Sequence, residues 1–282
     1  MHVDVNGTRL WFDVDGAALL PDGDEMRRRP TVVLLHGGPF SYDHSYFKPH
    51  LDWLTEEAQV VYLDLRGHGR SAPTEPDEWS LERCADDVAA VCDQLGIDKP
   101  VVVGHSMGGP IALMYAARHP GHVGGVVVLC GFASWDHRRL VDGFRSVAGD
   151  EVAALADVSY TGGAVTDEEW ERVFAAFGPH IPDEDTMARR VGHPELGPHG
   201  MERVRAVDLV DNLGGVETAI LVVVGTEDPV TPVGAAQEIV EAMPPGRARL
   251  EVLPEAGHFP WLDQPERLRV VLADFVAGAA AP

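Results

Sequence analysis

Short runs of consecutive aliphatic residues recur along the chain with room for a helix between them. They are Val32-Val33-Leu34-Leu35, Val60-Val61-Tyr62-Leu63, Val101-Val102-Val103 and Val126-Val127-Val128-Leu129, followed after a long interval by Ala219 to Val224 and Leu250-Glu251-Val252-Leu253. A strand that is apolar on both faces must be covered on both, which is the condition of a parallel sheet flanked by helices. Between the second and third runs, Ser80 can cap a helix that carries Leu81, Val88, Val91, Cys92 and Leu95 on one stripe. Thr231-Pro232 reads as the entry to a later helix, and Pro265 to Phe275 as the last one. The pattern specifies an α/β fold with a mostly parallel sheet. Ahead of it, Asn6-Gly7 between two alternating runs predicts an antiparallel hairpin over Val3 to Val14, and Pro21 to Pro30 reads as a solvated loop.

The long interval, residues 132–214, lacks buried-strand runs and carries helical patterns broken by Gly and Pro. It reads as a helical insertion into a core domain formed by residues 1–131 and 215–282. Within it, Thr166-Asp167-Glu168-Glu169 has capping-box spacing, and Trp170, Val173, Phe174 and Phe177 share one face of the helix that follows. That face either lines a pocket or packs on the core, and Trp170 and Phe174 are candidates for substrate contact.

Directly after the third run stands Gly104-His105-Ser106-Met107-Gly108, and apolar residues at helical spacing follow from Pro110 to Arg118. A Gly-x-Ser-x-Gly segment between a strand and a helix is a nucleophile elbow, in which a strained turn lifts the serine clear of the sheet. A serine hydroxyl is a poor nucleophile at neutral pH, so it needs a base, and the base needs an acid to fix its tautomer. Thirteen histidines are available. In the chain order Ser, acid, His expected for an elbow serine, the base falls at His258, in the loop after the last strand run. The acid falls just after the preceding strand, where Asp228 is favoured because Pro229 holds it extended, and Glu227 is the alternative. The oxyanion of a tetrahedral intermediate requires two fixed amide donors. Met107 supplies one and Gly38, in the loop His36-Gly37-Gly38-Pro39-Phe40, the other; His36 reads as an ordering residue and Phe40 as a further substrate contact.

Composition narrows the partners. Forty-five acidic against twenty-two basic residues give a net charge of -23, which disfavours nucleic acid and anionic membranes. Cys84, Cys92 and Cys130 have no metal or redox spacing, no His-Glu-x-x-His segment occurs, and Gly67-His68-Gly69-Arg70-Ser71 lacks the setting of a dinucleotide loop. No cofactor or metal is expected, and the partner is a small-molecule substrate. With neither a signal-like start nor a long apolar segment, the expected location is the cytoplasm. Oligomeric state leaves no mark.

Taken together, these segments resemble the α/β-hydrolase superfamily over nearly the whole chain. His36 to Pro39 is similar to its oxyanion loop, Asp64 to Ser71 to its structural loop after the next strand, and Gly104 to Gly108 to its elbow. The resemblance implies an α/β-hydrolase fold whose helical insertion is a cap over the active site, governing specificity. His-Gly-Gly-Pro is similar to the proline iminopeptidase branch, which recognises a substrate amine with cap carboxylates, for which Glu168, Glu169, Glu171, Glu184 and Glu195 are available. That branch has Gly where Phe40 stands, and the elbow looks more like those of carboxylesterases, lactonases and carbon-carbon bond hydrolases. Dehalogenase and epoxide hydrolase relatives carry Asp at the position of Ser106. The expectation is a serine hydrolase of small esters, lactones or amides, with an aminopeptidase or a slowly turning-over ligand receptor as alternatives.

Overall fold

The computed structural model describes residues 1–279; the end of the expected core segment, 280–282, lies outside the described residues. The strands are β1 (His2–Val5), β2 (Thr8–Asp15), β3 (Leu19–Asp22), β4 (Glu25–Arg28), β5 (Thr31–Leu35), β6 (Gln59–Leu63), β7 (Val101–His105), β8 (Gly125–Leu129), β9 (Ile220–Gly225) and β10 (Ala248–Leu253). Eight of them form one sheet in the order β1-β2-β6-β5-β7-β8-β9-β10. The β1-β2 and β2-β6 pairs are antiparallel and the remaining pairs parallel. Every aliphatic run of the sequence becomes a strand, and β7, β8 and β9 are buried at each residue. Separate apolar clusters cover the two faces of the sheet.

The predicted hairpin opens the sheet, with Asn6 and Gly7 both at positive φ in the turn. Pro21 to Pro30 differs from expectation. Instead of a plain loop, β3 and β4 form a two-stranded exposed ribbon around Gly23, whose φ of 64° suits the first position of a two-residue hairpin turn.

The helices are α1 (Lys48–Leu51), α2 (Leu81–Leu95), α3 (Gly108–Arg118), α4 (His137–Tyr160), α5 (Asp167–Ala175), α6 (Glu184–Ala188), α7 (Gly197–Arg205), α8 (Val210–Leu213), α9 (Val233–Ala242), α10 (Pro260–Asp263) and α11 (Pro265–Ala279). Ser80 caps α2 through its side chain, and Thr166 and Glu169 form the reciprocal capping box of α5. Helices α4 to α8 occupy the interval between β8 and β9, where among the described residues the only β pairing is the isolated bridge Ser134–Asp208. Helix α9 begins directly after Thr231-Pro232 as expected, and the Thr231 side chain turns back to Asp228. No described helix is long and apolar enough to cross a membrane.

Candidate active site

The parallel strands bring their C-terminal ends to one edge, so β5, β7, β9 and β10 deliver the loops after Leu35, His105, Gly225 and Leu253 to one place. Ser106 turns the chain from β7 into α3 with a φ of 53°, a left-handed conformation that a serine adopts only under constraint. The constraint is visible in the flanking glycines. A Cβ at Gly104 would stand 2.1 Å from the Gly108 carbonyl oxygen, and one at Gly108 would stand 2.4 Å from that of Leu35.

His258 and Asp228 lie side by side, both buried, with Nδ1 of the imidazole 2.9 Å from Oδ2 of the carboxylate. A carboxylate only accepts, so Nδ1 carries the hydrogen of this bond. Asp228 is held by three further donors: the Val230 amide at 2.9 Å, the Thr231 amide at 3.0 Å and the Thr231 hydroxyl at 2.6 Å. Burial pushes the Asp228 carboxyl up, but the His258 charge and hydrogen bond, together with the Thr231 donors, outweigh it and leave its pKa below the ordinary value. Glu227, by contrast, makes no side-chain hydrogen bond to His258 among the described residues. The main chain of His258 is pinned from two sides. Its amide donates to the Phe177 carbonyl at 2.6 Å, and its carbonyl accepts from His105 Nε2 at 2.8 Å.

Ser106, His258, Met107 and Gly38 all line one cavity of about 580 Å³, within the range of small-molecule sites. Met107 stands at the N-terminus of α3, where unpaired amides and the helix dipole favour negative charge. In the facing loop the Gly37 amide is occupied, donating to the Tyr46 hydroxyl at 3.0 Å, while the Gly38 and Met107 amides have no protein acceptor among the described residues.

His36 serves the loop as expected: Nδ1 donates to the Gly37 carbonyl and Nε2 accepts from the Leu65 amide. Burial holds its imidazole neutral, pushing its pKa down, as it does for His68, to about 3, and for His105. Of the candidate substrate contacts, Trp170 and Phe174 line the cavity. Phe40 does not. With a φ of 59° its side chain turns into the core, stacked 4.5 Å from His68 and packed against Trp79, while its amide donates to His68 Nε2. None of Glu168, Glu169, Glu171, Glu184 and Glu195 lines the cavity; Glu169 is spent on its capping box. The walls are instead aromatic and apolar, including Phe132, Trp135, Tyr160 and Phe177, with Arg190 as a cation.

Sequence reasoning missed Tyr46, Thr231 and Arg190. Only Thr231 left a local signal, an Asp followed three residues later by Thr in a proline turn. Two buried clusters have metal-ligand chemistry, Cys130-Asp228-His258 and Asp43-His44-Asp64. In the second, Ser45, Arg70 and Val191 donate to Asp43, and His44 and Arg70 donate to Asp64, so the carboxylates are already satisfied. In the first, burial keeps the Cys130 thiol protonated by raising its pKa well above the ordinary value.

Comparison with known proteins agrees with the fold. The protein named "Putative carbamate hydrolase RutD" from Caulobacter sp. (strain K31) is 26% identical over 277 residues, covering 95% of this chain and 98% of its own length. Among solved structures, proline iminopeptidase from Mycobacterium smegmatis superposes with a TM-score of 0.80 at 24% identity, covering 99% of this chain and 98% of its own. The enol-lactonase from Burkholderia xenovorans LB400 gives 0.70 at 25% identity, covering 98% and 100%. The sequence pattern of the family described as alpha/beta hydrolase fold matches residues 30–265, and the chain belongs to that family.

Proposed function

We propose that this protein is a cofactor-independent serine hydrolase that cleaves small esters, lactones or amides through an acyl-serine intermediate. In this reading Ser106 attacks the acyl carbon while His258 Nε2 takes its proton, and Asp228 holds the imidazole and stabilises the imidazolium. The Gly38 and Met107 amides receive the oxyanion. Collapse of the intermediate expels the leaving group, protonated by His258, and a water activated by the same imidazole then releases the acid and restores Ser106. The observation that carries this reading is the 2.9 Å contact between buried Asp228 and His258, with His258 opening onto the cavity that Ser106 also lines.

Relatives named for carbamate and enol-lactone hydrolysis support attack at an acyl carbon. The aromatic walls favour substrates with an apolar acyl or alcohol part, and the absence of a carboxylate among the lining residues disfavours an aminopeptidase, which must pair a free amine. Residues 132–214 serve as the cap that shapes this cavity. Ser106→Ala and His258→Ala, assayed on 4-nitrophenyl esters, should each lose at least about a thousandfold in kcat with the fold intact. Ester turnover unchanged in Ser106→Ala contradicts the reading.

A further inference from the structure

Arg190 is the one charged side chain, histidines aside, among the described residues that line the cavity. Its surroundings leave that charge uncompensated. Nε donates to the Met187 carbonyl and Nη1 to the Ser41 carbonyl, each at 3.1 Å, and no carboxylate lies within ion-pair distance among the described residues. Two of the guanidinium's five N–H donors are thus used, on neutral oxygens, and the rest have no protein partner among the described residues. In a chain of net charge -23 this is a local exception to the surrounding field.

The guanidinium is also fixed in place. It lies 4.6 Å over the Tyr42 ring. That ring abuts the oxyanion loop, since a Cβ at Gly38 would fall 2.2 Å from Tyr42 Cδ2. The neighbouring main chain is tied to the same loop by the Val191 amide on Asp43 Oδ2 at 2.9 Å and the His193 amide on the Phe40 carbonyl at 2.6 Å. Tyr42, whose phenol burial raises to about 12, stays a neutral donor beside it. A cation held before substrate arrives, one aromatic ring from the oxyanion loop, suits planar recognition of a carboxylate and loses little freedom on binding.

We propose that Arg190 forms an anion subsite, and that the substrates this protein prefers carry a carboxylate a few bonds from the scissile carbonyl on an otherwise apolar frame. This rests on the acyl-serine reading, so its test separates the two.

The matched probes are 4-nitrophenyl hydrogen glutarate, an anion, and its neutral methyl ester. The unaltered protein should prefer the anion, and Arg190→Met should lower the anion-to-neutral ratio of kcat/KM by about 10- to 100-fold, mainly through KM, with Arg190→Lys falling between. Equal losses on both esters would mean that Arg190 only pins the Ser41 and Met187 carbonyls, and would overturn the proposal. Calorimetric binding of both compounds to Ser106→Ala, with and without Arg190→Met, reads the subsite without turnover. If neither ester is cleaved in a Ser106-dependent way, the acyl-serine reading fails and binding alone decides. A preference for the anion that Arg190→Met abolishes supports the subsite, and equal binding of the two compounds refutes it. Should Arg190→Met not fold, Arg190→Gln replaces it.

Discussion

The Tyr46 hydroxyl donates to Nδ1 of His105 at 2.5 Å, and this bond joins the segment after β5 to the end of β7. His105 Nε2 must donate, because its partner is the His258 carbonyl, so Nδ1 is the acceptor and the imidazole is neutral. The same Tyr46 oxygen accepts from the Gly37 amide. A continuous chain therefore runs from Gly37 through Tyr46 and His105 to His258, tying the segment after β5 to the end of β7 and to the loop after β10. Tyr46→Phe leaves a buried amide and a buried ring nitrogen unpaired, which should destabilise the fold by about 1–3 kcal/mol. It should also lower kcat about tenfold by loosening Gly38 relative to Ser106, a second-order effect of the kind seen when supporting hydrogen bonds are removed. Melting curves and steady-state kinetics check both; a kcat unchanged in a destabilised variant would reduce Tyr46 to a purely structural residue.

The glycines of the elbow are required by contact with backbone, which cannot give way as a side chain can. Gly104→Ala and Gly108→Ala place a methyl 2.1 Å and 2.4 Å from carbonyl oxygens. Each should destabilise by at least about 3 kcal/mol or prevent folding. Denaturant unfolding measures this, and a loss under about 1 kcal/mol would contradict the tight turn.

Much of this arrangement was legible in the sequence because it depends on local pattern. Continuous aliphatic runs announced the parallel strands, and the Gly-x-Ser-x-Gly segment announced Ser106. Chain order then pointed to Asp228 and His258, which the fold brings together. What escaped depends on contacts across long sequence separations. Tyr46 and His105 are 59 residues apart. Phe40 looked like a wall of the cavity because it follows the oxyanion loop, but one left-handed residue turned it to His68 and the core. The insertion was readable as helical, whereas the aim of Arg190 into the cavity depends on how that insertion packs.

Asp228 can be tested by isosteric replacement. Asp228→Asn removes the acceptor that fixes the Nδ1–H tautomer of His258, and should lower kcat by about 10⁴ while leaving KM little changed. Thr231→Val removes only the 2.6 Å donor to the same carboxylate and should lower kcat by about tenfold or less. Comparable losses in the two variants would contradict a primary role for the carboxylate.

Three buried imidazoles give a pH signature to stability. His36, His68 and His105 are held below the ordinary value of 6.5 by burial, His68 at about 3. Between the folded and unfolded values the unfolded chain binds more protons, so stability is complete above about pH 6.5 and declines as pH falls. At pH 5.5 His68, held at about 3 in the folded protein, withdraws about 1 kcal/mol, and His36 and His105 act in the same direction. The melting temperature should therefore fall from pH 7.5 to pH 5.5, and His68→Gln should show a smaller fall. A pH dependence identical in the two proteins would contradict a neutral, buried His68.

The most direct test of the central claim is intact-mass spectrometry after exposure to a fluorophosphonate, with the modified residue mapped by fragmentation. A serine activated by His258 and Asp228 and open to the cavity predicts one adduct, on Ser106. A folded protein that takes up no label, or carries it on another residue, would contradict Ser106 as the nucleophile.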